Sequence, residues 1–240
     1  MLIEDQIARS LSAKTGLGVK ELYSAGTSLN DTNFKLVEKT LSAISDDRSF
    51  FVDTVGTVDQ VRDTILEFAR DKNLLYTDTG LVITIDHVLL TKGRVGDAEK
   101  VIVDSLMMTL VELKKHFASI GLKCIFIVLS QLNRDIEHVD RVSNKMLHYP
   151  TRNDIFGASS VYNSSDYVLI SHRPADLVGL GQFYGPGEEG FPKGLPVKCP
   201  TDPKHDMVYW HLIKERFGKP ILLTMVEDFS VSSIKEYNLK

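Results

Sequence analysis

Residues 81–86, LVITID, limit most strongly what this chain can become. They form a run of apolar, mostly β-branched residues closed by the carboxylate of Asp86. An apolar run of this length between turn signals suits a strand buried on both faces of a parallel sheet. A carboxylate at the C-terminal end of such a strand stands where open α/β sheets bind ligands. Spacing alone leaves a second reading equally open, in which Asp86 only caps the loop that follows.

Helices and strands alternate around this run. Ile3, Ile7 and Leu11 fall at helical spacing, and Gly16 and Gly18 break it. A helix is predicted over 31–44, with Phe34, Val37, Leu41 and Ile44 on one face. Residues 49–53 (SFFVD) read as a short strand. Thr57 and Gln60 have capping-box spacing ahead of a third helix, whose apolar side is Val58, Val61, Ile65 and Phe68. A long helix is predicted over about 97–119, with Ile102, Leu106, Leu110, Leu113 and Phe117 as its stripe and Gly121 as its stop. Residues 123–129 (KCIFIVL) form a second buried-type strand. This alternation argues for a parallel sheet with right-handed crossovers.

Beyond Ser130 the pattern changes. Residues 130–152 are polar and mixed in charge and read as a loop. A short helix is expected from Asn153, and 166–171 (DYVLIS) is a strand. A long surface loop is expected over about 172–206, where most of the prolines lie. Residues 207–214 and 221–226 flank a Gly- and Pro-containing turn, which predicts an antiparallel hairpin at one edge. No internal repeat and no linker divides the chain, so 1–240 reads as a single domain.

The net charge of -4 exerts no general pull toward nucleic acid, so any such site must be a local patch. Cys124 lies in an apolar run and Cys199 in a Pro-rich loop, so a disulfide framework is not expected and the cytosol is the expected compartment. Glu4 and Asp5 follow Ile3 at once, so no secretory signal is expected, and no run approaches the length of a membrane span.

Four segments in order resemble the RecA-like ATPase domain of DnaB-type replicative helicases. They are LVITIDH at 81–87, IVLSQLNR at 127–134, the segment from Asp154 to Asp166, and KERFGKP at 214–220. In that family a strand ends in the Walker B Asp, and the next core strand ends in Ser-Gln-Leu-Asn-Arg. A helical segment then carries a second Asp twelve residues beyond the first, and a late hairpin carries Lys-x-Arg-x-Gly. The resemblance implies a RecA-like α/β fold: a mostly parallel sheet flanked by helices, with a C-terminal β-hairpin. It implies part of an ATP-dependent replicative DNA helicase that uses ATP and Mg²⁺. Single-stranded DNA, a homo-oligomeric ring hexamer, and a primase or helicase loader are the implied partners. The cytoplasm of a bacterial or phage-infected cell is the implied location.

Under this resemblance Asp86 holds the Mg²⁺ of Mg-ATP directly or through water, as a hard oxygen ligand suits that ion. Gln131 contacts the γ-phosphate or the attacking water. Lys214 and Arg216 alternate to one face of the hairpin and reach a phosphate held by a neighbouring subunit, as an arginine finger does. Without the resemblance, Gln131 is an ordinary loop-start amide and the two cations a solvated hairpin tip. Arg134, Arg141, Lys145, Arg152, Gly157 and Ser159 become the candidates to face single-stranded DNA. Asp135, Glu137 and Asp140 make that loop a poor electrostatic funnel by itself. The chain also departs from its relatives. Phe156-Gly157-Ala158-Ser159 stands where many carry Arg-Glu-Ser-Gly, which leaves backbone N–H groups as the contacts to DNA. His87 replaces a frequent Tyr and is read as a supporting or packing residue. Cys199 and His205 lack two further partners for zinc.

One motif is missing. A P-loop needs Gly-x-x-x-x-Gly-Lys-Ser/Thr so that backbone N–H groups close on phosphates. The nearest stretch, ARSLSAKT at 8–15, has alanine for both glycines and follows a helix, so it is read as coincidence. Met1 matches the Met of the family's Ser-Leu-Glu-Met, and the Glu expected to activate water lies before it. The chain thus reads as an N-terminally truncated, partial domain that begins one strand, one P-loop and one helix late. An interior strand missing from a sheet exposes an edge, which self-association or a partner would hide. Two functions follow as expectations. One is a part of a helicase motor, inactive alone for lack of a Walker A loop. The alternative is a degenerate, non-hydrolysing RecA-like module that binds single-stranded DNA or a helicase partner. Recombinase and circadian-clock relatives lack the late Lys-x-Arg-x-Gly element.

Overall fold

The computed structural model describes residues 3–23, 29–45, 48–54, 56–74, 79–144, 147–178, 180, 183–184 and 194–237. The chain opens with helices α1 (Ile3–Thr15), α2 (Val19–Tyr23) and α3 (Asp31–Ser45). The apolar stripe expected on α3 is largely exposed, Phe34 and Leu41 included. Residues 49–53 do not form the expected strand. Phe50 instead meets Phe68 edge-on at 4.9 Å, under the Lys72 ammonium, so the segment covers a helix rather than joining a ladder.

That helix is α4 (Val58–Asp71), and its capping box forms as the spacing predicts. The Thr57 N–H donates to Gln60 Oε1 at 2.8 Å, and the Gln60 N–H donates to Thr57 Oγ1 at 3.3 Å, satisfying two donors that a helix start leaves open. Strand β1 (Leu81–Ile85), helix α5 (Glu99–Ser119) and strand β2 (Cys124–Val128) make the βαβ unit. The strands pair in parallel, Leu81 opposite Cys124 through Ile85 opposite Val128. Asp97 stays outside α5 and accepts the Arg94 N–H at 2.8 Å. The buried stripe of α5 runs through Val103, Leu106, Met107, Leu110, Leu113 and Phe117, one residue round from Ile102.

The expectation of burial on both faces of β1 is corrected. Leu81, Ile83, Ile85, Cys124, Phe126 and Val128 pack into the core with α4 and α5. Their neighbours point the other way, and among the described residues nothing covers them: Val82 is 59% exposed and Ile125 61%.

Helices α6 (Val139–Ser143) and α7 (Ala158–Ser164) follow, then strand β3 (Tyr167–His172). The stretch after β3 carries a two-residue pair, β4 (Phe183–Tyr184) with β5 (Leu195–Pro196). Strands β6 (Met207–Glu215), β7 (Ile221–Asp228) and β8 (Ser233–Glu236) complete an antiparallel sheet in the order β3-β6-β7-β8. The expected hairpin is therefore β6–β7, but it is interior, and β3 and β8 take the edges. Tyr184, Cys199, Met207 and Tyr209 form a second, smaller core. Arg173 ties this region together through Asp206 and Glu227. No helix among the described residues is long and apolar enough to cross a membrane.

Candidate nucleotide site

Asp86 leaves β1 and Gln131 stands three residues past β2, so the parallel register brings both to one rim. Backbone bonds continue the pairing past the strand ends: the Leu129 N–H donates to Ile85 O and the Val88 N–H to Leu129 O, both at 3.0 Å. His87 follows Asp86 in the chain, and its Nε2 lies 3.4 Å from Gln131 Nε2. Asp86 and Gln131 are both exposed, and no described residue pairs with the Asp86 carboxylate. A bare carboxylate beside a neutral amide suits a hydrated Mg²⁺ and a water or phosphate oxygen. No group of three His, Cys, Asp or Glu placed to hold a metal exists among the described residues. One exposed carboxylate leaves most positions around such an ion to water and phosphate oxygens, which is how Mg²⁺ is commonly held.

The chain beyond Gln131 is laddered to the segment before α7. The Phe156 N–H donates to Gln131 O at 2.9 Å, Leu132 bridges Ile155, and the Asn133 N–H donates to Asp154 O at 2.6 Å. These bonds tie the Gln131 backbone to Phe156, the neighbour of Gly157, which caps α7 at φ 70°.

The six residues assigned to DNA fall in different settings. Arg134, Arg152 and Ser159 are exposed. Gly157 is half-buried against Val103. Arg141 is engaged inside the chain: it grips Asp154 and donates to Leu147 O at 3.2 Å and Tyr149 O at 3.1 Å. Lys145 lies outside the described residues. Burial pushes the Asp154 carboxyl up, and hydrogen bonds from Arg141 and Thr151 outweigh that, leaving it below the usual carboxylate range.

Lys214 and Arg216 come together on the α7–β3 connection. Lys214 Nζ donates to Tyr162 O at 2.6 Å and Asn163 O at 3.2 Å, capping the last carbonyls of α7, and lies over the Tyr162 ring. Arg216 Nε stands 2.8 Å from Asp166 Oδ1, and the Arg216 N–H donates to Asp166 O at 3.0 Å. Lys114 of α5 bonds the other oxygen of Asp166. The Lys114 hydrogen bond is the main reason the Asp166 carboxyl lies below its ordinary range. Lys114 carries no sequence signal, because its partner is 52 residues away.

A parallel βαβ unit with Asp86 and Gln131 beyond its strand ends, followed by an antiparallel sheet, is an α/β fold. Neither a family model nor a curated protein matches the sequence. Solved structures do. One is a DnaB-like replicative helicase described with its interactions with primase: 99% of this chain aligns with it, at 13% identity and a TM-score of 0.71. Another is described as an ATPase domain, matched at 14% identity, 99% coverage of this chain and a TM-score of 0.71. The chain spans 49% of the first and 72% of the second. It shares the fold of these two structures, and at such identity the likeness is one of fold.

Proposed function

We propose that the chain forms part of the motor of an ATP-dependent replicative DNA helicase. Asp86 and Gln131 serve one side of the nucleotide site, and Lys214 and Arg216 act on a nucleotide held by the next subunit of a ring. The observation that carries this reading is the division of labour: Asp86 and Gln131 share one strand-end rim, while both hairpin cations are mounted on α7 and Asp166. When bound, Mg-ATP would supply the free energy for translocation. The chain's own residues orient the metal's water shell at Asp86, hold a water or phosphate oxygen at Gln131, and pass the displacement of Gln131 to Gly157. Arg134, Arg152, the backbone at Gly157 and Ser159 face single-stranded DNA, while Arg141 anchors the segment before α7. A ring hexamer in the cytoplasm, with a primase or loader beside it, completes the reading.

No Walker A sequence occurs in the 240 residues, so the chain alone does not turn ATP over. That absence, with Phe156-Gly157-Ala158-Ser159, favours the alternative of a non-hydrolysing module that binds DNA or a helicase partner. Titration with a fluorescent ATP analogue and Mg²⁺ tests the nucleotide site. Saturable binding that weakens in Asp86→Asn supports the motor reading. Absence of binding overturns Asp86 and Gln131 as a nucleotide site in this chain by itself, and leaves a part of a helicase motor or a binding module.

A further inference from the structure

Asp166 holds two cations at once, Arg216 on Oδ1 and Lys114 on Oδ2. The two differ in what else fixes them. Arg216 sits at the exit of β6, its side chain 48% exposed, beside a cleft of about 210 Å³ that Lys114, Lys115 and Ser164 also line. Lys114 stands in the C-terminal half of α5, at the border of the buried stripe of Leu110, Leu113 and Phe117, so the fold fixes its backbone. Its side chain is 52% exposed and reaches Asp166 from there. A part-exposed carboxylate with a single counter-ion loses a modest attraction when that ion leaves, and only water takes its place. A carboxylate with two can release one. The guanidinium is also the better of the two for phosphate, since its fork meets two oxygens in one plane.

We propose that Lys114 is the standing counter-ion of Asp166, and that it lets Arg216 leave that carboxylate for a phosphate presented in the cleft. Lys114 and Asp166 are then positioning residues for Arg216. This rests on the proposed role of Arg216 toward phosphate. Asp166 aims the guanidinium through its side chain and fixes the backbone through its carbonyl, and Lys114 leaves Asp166 with a counter-ion when Arg216 departs.

Inorganic triphosphate, titrated into the purified chain near 0.15 M salt to screen distant charges, tests this. Lys114→Met should weaken binding about threefold, the size an exposed ion pair carries, and Lys114→Arg should restore it. The decisive comparison is Lys114→Met in an Asp166→Asn background. Acting through Asp166, Lys114 has nothing left to do there, and its substitution becomes silent. An equal loss in both backgrounds means Lys114 touches the phosphate itself and overturns the inference. A second measurement is independent of that double variant. The Arg216 Nε–Hε signal should shift with triphosphate in the unaltered chain and need about three times as much triphosphate for half its shift in Lys114→Met. Equal midpoints of that shift in both overturn the inference too. Binding unaffected by Arg216→Ala, or absent from the unaltered chain, removes the phosphate role of Arg216 and with it the inference. Loss in Arg216→Ala without coupling between Lys114 and Asp166 removes the inference alone.

Discussion

The guanidinium of Arg141 grips both carboxylate oxygens of Asp154 across thirteen residues of chain. Asp154 is 3% exposed, and its carbonyl also receives the Asn133 N–H, so this pair joins the loop after β2 to the segment before α7. Removing one partner of a buried pair strands the other charge. Arg141→Met should therefore cost about 3 kcal/mol of stability by denaturant titration, the low end for such pairs. A DNA-contact role alone would leave the denaturation midpoint unchanged.

The same pair sets an acid limit. The Asp154 carboxyl is held below its ordinary value in the folded chain, so its contribution is present above the unfolded pKa, about 3.9. It is lost as pH falls below that value, because the unfolded state then binds the proton more tightly. Asp154→Asn should remove this part of the acid dependence below about pH 4.

A second pH dependence comes from His172 and His211. The Tyr184 hydroxyl lies 3.0 Å from His172 Nδ1 and 3.1 Å from His211 Nε2, and burial pushes both imidazoles down to about 4. Their unfolded values are about 6.5. The unfolded chain therefore binds protons first as pH falls, and stability is full above that value and declines from there toward 4. The slope should approach about 1.4 kcal/mol per pH unit for each imidazole. Unfolding midpoints measured across that window should flatten in His211→Phe.

Gly157 holds φ 70°, and a Cβ there would sit 3.0 Å from Val103 Cγ1. Gly157→Ala should lower stability by about 1–2 kcal/mol from the left-handed backbone alone. Thermal melting checks this. An unchanged melting point would mean that the α7 entry relaxes without strain.

The outward face of β1 and β2 presents Val82, Ile125 and Ile127 with no described cover. Apolar surface of this kind drives association. Sedimentation of the purified chain should show concentration-dependent association, and Val82→Glu with Ile125→Lys should reduce it without loss of helical circular dichroism. A stable monomer at high concentration would mean that this face tolerates water.

That face also marks the limit of what local sequence discloses. The βαβ unit, the α4 capping box and the strand-end places of Asp86 and Gln131 are legible in the residues, because each depends on neighbours close in sequence. The one-sided burial of β1 is not, since alternation leaves no trace where both faces carry apolar side chains. SFFVD has strand composition, yet Phe50 finds a better partner in Phe68 than in a ladder. The Lys114–Asp166–Arg216 cluster and the Tyr184 hydroxyl between two histidines are pairings across long sequence separations. Tyr184 further lies in a Gly- and Pro-rich stretch, where composition points away from burial.

Arg216 and Asp86 should fail in different ways. In an ATPase-competent assembly that contains this chain, Asp86→Asn removes a metal ligand, so nucleotide affinity falls with Mg²⁺ present and changes little without it. Arg216→Ala leaves that site intact and removes a charge that acts on the neighbour's phosphate. Its turnover should drop by about 10³-fold or more, as for other arginine fingers, at nearly unchanged affinity. Single-turnover hydrolysis with labelled ATP, run beside equilibrium binding, separates the two. Lost affinity with normal turnover of the bound fraction in Arg216→Ala would place Arg216 on nucleotide binding instead.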